Sequence, residues 1–207
     1  MTNEDLIFVK KLLENNALDG PILELGAGYG GPTCRELVQS FGLQYFGTDL
    51  DPGNGVDFVG DFENPDFLHG KSFGSILVLN VLEHTFEPIK IIDSCLSVLK
   101  SNGKVVIVTP SVWQIHNYPI DCFRFLPNFY QEYAKKRNVK IDPNFFEYLG
   151  YGSISGFLNA DGTMAFPPPW KRESDRFFGK VIHRIFNTFG RRMIFPSFLA
   201  IGCVLEK

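Results

Sequence analysis

Ile22-Leu23-Glu24-Leu25-Gly26-Ala27-Gly28-Tyr29-Gly30-Gly31-Pro32 is the stretch on which the reading of the fold turns. Residues 22–25 read as a short strand that carries one acid. Four glycines then crowd positions 26–31, and apolar periodicity resumes at Leu37. That is strand, glycine loop, helix. Glycine has no Cβ and tolerates positive φ, so such a loop lets backbone approach a ligand closely. Pro32 suits a first helical position, where the missing N–H is not needed. A bare turn rarely needs so many glycines. Gly26, Gly28 and Gly31 satisfy G-x-G-x-x-G, a fingerprint that is weak until its surroundings are read.

Working outward, Thr2 or Asn3 caps a first helix with Leu6, Val9, Leu12 and Leu13 at helical spacing, stopped by Gly20-Pro21. The helix after the loop runs to about Ser40, with Gly42 as its stop. Residues 43–48 form a second strand that ends at Asp49. Residues 56–60 form a third that ends at Asp61, and Asn64-Pro65 opens the next helical turn. Residues 75–80 are a nearly continuous apolar run, as expected of a central parallel strand covered on both faces. A helix follows over 88–100, then a fifth strand over 104–109. The alternation implies an α/β fold, a doubly wound, mostly parallel sheet. Past Ser111 the texture turns aromatic and proline-rich. Residues 126–138 read as a helix, 145–155 hold a strand, and 198–205 form the last one.

Composition narrows the classes. The chain has 207 residues, 44% of them hydrophobic, which suits one domain with a sizeable core. A net charge of −3 offers no global basic field, so nucleic acid is not an expected partner. The four cysteines, at 34, 95, 122 and 203, include no C-x-x-C pair and lie at no metal-ligand spacing from a histidine. They read as reduced thiols of a cytoplasmic protein, and no metal is expected. The first residues lack a basic n-region, and 193–205 is too short to span a bilayer. Oligomeric state is not legible.

In open parallel sheets the ligand sits beyond the carboxyl ends of the strands, at the switch point. Three successive strand ends carry candidates: the glycine loop, Asp49 for two ribose hydroxyls, and Asp61 for an adenine amino group. Asp49 fits a dinucleotide as well as another adenosine ligand. Glu24, just before the loop, disfavours a pyrophosphate and suits a sulfonium and an ammonium. Arg35 is the only nearby cation, and Glu36 offsets it.

Glu-Leu-Gly-Ala-Gly-Tyr-Gly (24–30), Tyr-Phe-Gly-Thr-Asp-Leu-Asp (45–51), Val-Gly-Asp-Phe (59–62), Leu-Val-Leu-Asn-Val-Leu-Glu-His-Thr (77–85) and the fifth-strand segment 99–110 resemble, in order, the motifs of class I S-adenosylmethionine-dependent methyltransferases, of the small-molecule, type 11-like kind. The resemblance covers about residues 20–110. It implies a Rossmann-like sheet of seven strands with an antiparallel last strand. It carries cofactor roles onto Glu24, Gly26, Gly28, Asp49, Asp61 and Asn80, with Ala27, Leu50 and Phe62 beside them. Gly74-Ser75 departs from the family, which often has an acid there.

Methyl transfer needs orientation and desolvation, and a hydroxyl acceptor also needs a base. His84, after the fourth strand, is one candidate. His116 is the other, in His116-Asn117-Tyr118-Pro119-Ile120-Asp121-Cys122-Phe123-Arg124-Phe125, whose H-x-x-P-x-D-x-x-R-F pattern resembles a segment of some bacterial methyltransferases. Trp113, Tyr118, Asp121 and Arg124 are candidate acceptor-binding residues. The bland alternatives are that His84 caps a helix, that Asp121 and Arg124 latch the loop, and that the aromatics, Phe123 and Phe125 among them, are core. The expected activity is methyl transfer to a small-molecule, glycan or lipid-linked acceptor, oxygen slightly favoured. Rival readings are a nicotinamide-dependent oxidoreductase and a catalytically silent binding module. Residues 157–195 read as a lid-like insertion in a single domain 1–207. Within it, 174–192 divides phenylalanines from Arg and Lys, the pattern either of a lid or of a helix lying on the inner membrane surface.

Overall fold

The computed structural model describes residues 2–28, 32–113, 115–117, 119–150, 154–155, 177, 181, 184–185, 188 and 199–207. Helix α1 (Asn3–Glu14) opens on a capping box, in which the Thr2 hydroxyl accepts from the Asp5 N–H and the Asp5 carboxylate accepts from the Thr2 N–H. Then come β1 (Ile22–Leu25), α2 (Arg35–Ser40), β2 (Tyr45–Asp49), β3 (Phe58–Val59), β4 (Phe73–Leu79), α3 (Pro88–Ser97), β5 (Leu99–Pro110), α4 (Pro127–Arg137), β6 (Lys140–Ile141), β7 (Glu147–Leu149), β8 (Ile154–Ser155) and β9 (Ala200–Glu206).

The sheet runs β3-β2-β1-β4-β5-β9-β7-β8, with β6 also against β9. Strands β1 to β5 pair in parallel, and β9 is antiparallel to β5, β6 and β7. The Rossmann-like architecture with its antiparallel last strand is therefore present. The two-residue strands β6 and β8 add to the seven expected.

Period-two alternation sorts the core into two layers. Leu23, Ile76, Val78, Val105 and Ile107 face one layer with α3 and α4. Ile22, Leu77, Leu79, Val106 and Val108 face the other with Phe8, Val9, Leu12 and Leu13 of α1. The apolar run of β4 is buried at every position, as a strand covered on both faces requires.

Helix α2 starts at Arg35, three residues past the Pro32 expected to open it, and two further spans differ from expectation. Helix α3 stops at Ser97, and β5 begins at Leu99 rather than 104, because Leu99 pairs with Phe73 across a register shift. Ser101 and Asn102, which with Gly103 have the chemistry of a helix stop, are exposed strand residues, with Asn102 at φ +61. The single strand expected over 145–155 is instead a turn followed by β7 and β8 paired antiparallel. Most of the expected insertion 157–195 lies outside the described residues. Phe177, Val181, Arg184, Ile185 and Thr188 are helical and exposed.

Candidate active site

β1 and β4 are neighbours whose connections leave in opposite directions, so the carboxyl ends of the strands open at this switch point. There the glycine loop is stitched to β2. The Gly26 and Ala27 N–H groups both donate to the Thr48 carbonyl, at 2.9 and 3.1 Å. Gly26 sits at φ +75, which an L side chain resists. Asp49 closes the loop: its Oδ2 accepts from the Gly28 N–H at 2.8 Å and its Oδ1 from the Leu50 N–H at 2.7 Å. The room left by Gly28 is taken by protein, since a Cβ there would meet Val56 Cγ2 at 2.6 Å. Leu50 and Asp61 are exposed, while Ala27 and Phe62 are buried beneath them. Asp61 Oδ1 accepts from the Glu63 N–H at 2.8 Å. Tyr29 to Gly31 lie outside the described residues.

Beneath the loop lies an excess of buried acid. Glu24 Oε2 accepts from the Cys34 N–H and the Tyr45 hydroxyl, both at 2.8 Å. Asn80, at φ +53, donates through Nδ2 to Asp5 Oδ2 at 2.7 Å. Asp5 Oδ1 is buried with no hydrogen-bond partner among the described residues, and so are both carboxylate oxygens of Glu83. Burial raises the pKa of Asp5 and Glu24 against the pull of their hydrogen bonds, and pushes Glu83 up to about 8. Among the described residues none of the three lies within ion-pair distance of a lysine or arginine. Arg35 is committed elsewhere. Its guanidinium donates to Asp57 Oδ2 at 2.6 Å and to the Gly55 carbonyl at 2.9 Å, and it covers the Tyr45 ring at 4.6 Å.

The acceptor-side candidates converge after β4 and β5. The Cys122 N–H donates to the Glu83 carbonyl at 2.7 Å and folds the loop after β5 back over the turn after β4. His84 Nδ1 lies 2.6 Å from the Ile120 carbonyl. The His84 and His116 rings meet edge to face at 4.8 Å. His116 Nδ1 is 3.3 Å from Asp121 Oδ2, which also accepts the His116 N–H at 2.8 Å. Arg124 grips the same carboxylate through both terminal nitrogens. That grip, chiefly, holds Asp121 well below the usual carboxylate range. Burial lowers the His84 pKa.

Arg124 also donates to the Phe123 carbonyl at 2.8 Å and reaches the Trp113 carbonyl at 3.5 Å, the geometry of a loop latch. Trp113 is exposed, whereas Phe125 is core, packed on Phe129 and Tyr130. Tyr118 lies outside the described residues. Asp5 was not singled out by sequence. Its signal was the capping-box spacing from Thr2, which gives no hint of the contact with Asn80.

A family model described as a methyltransferase domain matches residues 6–144. Three solved structures share the fold. A S-adenosylmethionine-dependent methyltransferase from Archaeoglobus fulgidus is 16% identical, with a TM-score of 0.57 over 98% of this chain and 94% of that one. A 1,6-didemethyltoxoflavin N1-methyltransferase from Burkholderia thailandensis, solved with 1,6-didemethyltoxoflavin and S-adenosylhomocysteine, is 11% identical, with a TM-score of 0.62 over 99% and 78%. A plantazolicin methyltransferase solved with S-adenosylhomocysteine and a triazolic desmethylPZN analogue is 15% identical, with a TM-score of 0.54 over 100% and 86%. None of the curated proteins matches the chain.

Proposed function

Because the chain belongs to the methyltransferase domain family, whose model spans residues 6–144, we propose that it methylates a small-molecule, glycan or lipid-linked acceptor, at oxygen in preference to nitrogen or carbon. S-adenosylmethionine is the cofactor and supplies a methyl group activated by a sulfonium sulfur. The observation that carries the cofactor reading is the set of buried carboxyls, Asp5, Glu24 and Glu83, with no lysine or arginine paired to them among the described residues. An orphaned buried oxygen such as Asp5 Oδ1 is costly unless a donor or cation arrives. A ligand bearing a sulfonium and an ammonium brings that charge, and a pyrophosphate would add to the excess. Arg35 is tied to Asp57, and no lysine or arginine among the described residues pairs with these carboxyls to offset it, which weighs against the nicotinamide reading.

In this reading Asp49 holds the ribose hydroxyls and Asp61 the adenine amino group. Gly26, Ala27 and Gly28 form the floor, Leu50 and Phe62 exclude water from the adenine, and Glu24 and Asn80 set the potential with Asp5. On the acceptor side, Asp121 orients His116, so the imidazole can take the acceptor's proton as the new bond forms. His84, kept neutral by its surroundings, is the second base. Arg124 fixes Asp121 rather than the acceptor, and Trp113 lies in the loop that would border it.

The test is transfer of labelled methyl from S-adenosylmethionine to a panel of phenols, sugars and polyprenyl-linked saccharides. Label in a hydroxyl-bearing acceptor, lost in His116→Ala with S-adenosylhomocysteine affinity intact, supports the reading. Tight cofactor binding with no transfer to any acceptor or cell extract would make the chain a silent binding module.

A further inference from the structure

Glu83 is wholly buried, and neither of its carboxylate oxygens has a hydrogen-bond partner among the described residues. It does not sit alone. One ligand atom each from Glu83, His84 and His116 lie within 4.8 Å of one another. We propose that these three residues bind one divalent transition-metal ion, of which zinc fits best.

Three features of the geometry point this way. First, the orientation of both rings is set from behind. His84 Nδ1 faces the Ile120 carbonyl at 2.6 Å, which makes it the N–H nitrogen and leaves Nε2 as the lone-pair nitrogen. That Nε2 is on the Glu83 side, 3.8 Å from Oε1. His116 Nδ1 faces Asp121 Oδ2 at 3.3 Å, and Arg124 holds that carboxylate in place. A carbonyl or carboxylate behind a histidine is the usual outer support of a metal-binding imidazole. Second, the spacing is close. Ligand atoms around a zinc ion at ~2.0–2.2 Å lie roughly 3–3.5 Å apart. Side-chain rotation over about 1 Å would therefore bring the three in. Third, the donor set selects the ion. Two imidazoles and one carboxylate suit zinc or a neighbour in the first transition row, whereas magnesium and calcium prefer all-oxygen shells. Three protein ligands leave open positions, the pattern of a catalytic rather than a structural ion.

Spacing in the sequence does not announce such a site, because Glu83-His84 and His116 come from different loops. The bond from the Cys122 N–H to the Glu83 carbonyl is what joins them. The ion's binding stands apart from methyl transfer, but its purpose rests on the methyl-transfer reading. An acceptor hydroxyl at an open position would ionise more readily. With both imidazoles on the ion, His84 and His116 act as its ligands in place of the base role they have without it: the acceptor's proton would leave to solvent and its oxygen lone pair would form the bond to the methyl carbon. The pair of the breaking C–S bond would stay on sulfur.

The experiment is titration of the chelator-stripped full chain with cobalt(II), followed by visible absorption, with zinc as competitor. One equivalent should bind, give d–d bands and be displaced by zinc. His84→Ala and His116→Ala should each weaken binding by 10-fold or more. Asp121→Asn, a positioning change, should weaken it by roughly 10- to 100-fold. S-adenosylhomocysteine calorimetry on every sample checks that the fold persists. Absence of cobalt binding by a chain that binds S-adenosylhomocysteine overturns the proposal, as does binding that survives both alanine changes. If cobalt binds but no acceptor is methylated, the ion site stands and the methyl-transfer reading falls.

Discussion

Gly28→Ala separates two reasons for a glycine in the cofactor loop. If the missing Cβ cleared space for a ligand, the free protein would tolerate alanine. The structure fills that space with Val56, whose Cγ2 would lie 2.6 Å from the new carbon, and with Asp49, whose Cβ and Oδ2 would lie at 3.1 Å. Carbon atoms in contact rest ~3.5–4.0 Å apart, so the clash is short by about 1 Å. The turn that bears Val56 cannot slide away cheaply. Asp57 next to it accepts from the Gly47 N–H at 2.8 Å and from Arg35 at 2.6 Å, and the Gly55 carbonyl accepts from Arg35 as well.

Overpacking of this kind costs about 1–3 kcal/mol. At roughly 2–4 °C per kcal/mol for a chain of this size, the free protein should melt ~2–12 °C lower. Binding of S-adenosylhomocysteine should weaken too, because the same carbon pushes Asp49. Val56→Ala removes the obstructing methyls, so the double variant should lose less than the sum of the single changes, with a coupling of ~0.5 kcal/mol or more. Thermal melts by circular dichroism, with and without ligand, give all four corners of the cycle. A Gly28→Ala protein that melts with the parent, or a double variant that is simply additive, would refute this reasoning.

Asp49→Ala should weaken S-adenosylmethionine roughly tenfold or more by calorimetry, since each charge-assisted bond contributes ~1.5–3 kcal/mol and ~1.4 kcal/mol is tenfold. His116→Ala should keep cofactor affinity and lose turnover, and a wild-type rate would make His116 structural and His84 the better base. Asp93 should confer a pH dependence. Burial raises its pKa, but hydrogen bonds from Arg137 and Tyr133 outweigh this and lower it. Its contribution is thus present above about pH 3.9 and lost as pH falls toward the lowered value. The melting temperature should drop less steeply below about pH 4 in Asp93→Asn than in the parent. Phe177, Val181 and Ile185 are exposed, so the chain should sediment with anionic vesicles in a salt-sensitive way that Arg184→Glu weakens; failure to sediment leaves the lid.

The positions of the cofactor-site candidates in the fold were legible because those candidates are local. Each sits where an apolar strand ends, and strand ends can be read from a period of two and a turn residue. Glu24, Gly26, Asp49 and Asp61 belong to that class. The start of β5 was not legible, because Ser101-Asn102-Gly103 has helix-stop chemistry and only the pairing of Leu99 with Phe73 makes it strand. The crowding at Gly28 depends on Val56, which reaches the loop only after the turn beyond β2 folds back. The acceptor half depends on one backbone bond between Cys122 and Glu83. The residues could be named from the sequence, but their grouping could not. Asp5 shows the same limit: its cap was readable, and its burial beside Asn80 was not.

The most direct test of the central claim is calorimetry of the wild-type chain with S-adenosylhomocysteine and, separately, with NAD. Buried carboxyls with no lysine or arginine paired to them among the described residues, and a committed Arg35, predict one equivalent of S-adenosylhomocysteine bound and no heat from NAD. Binding of NAD with none of S-adenosylhomocysteine would contradict it.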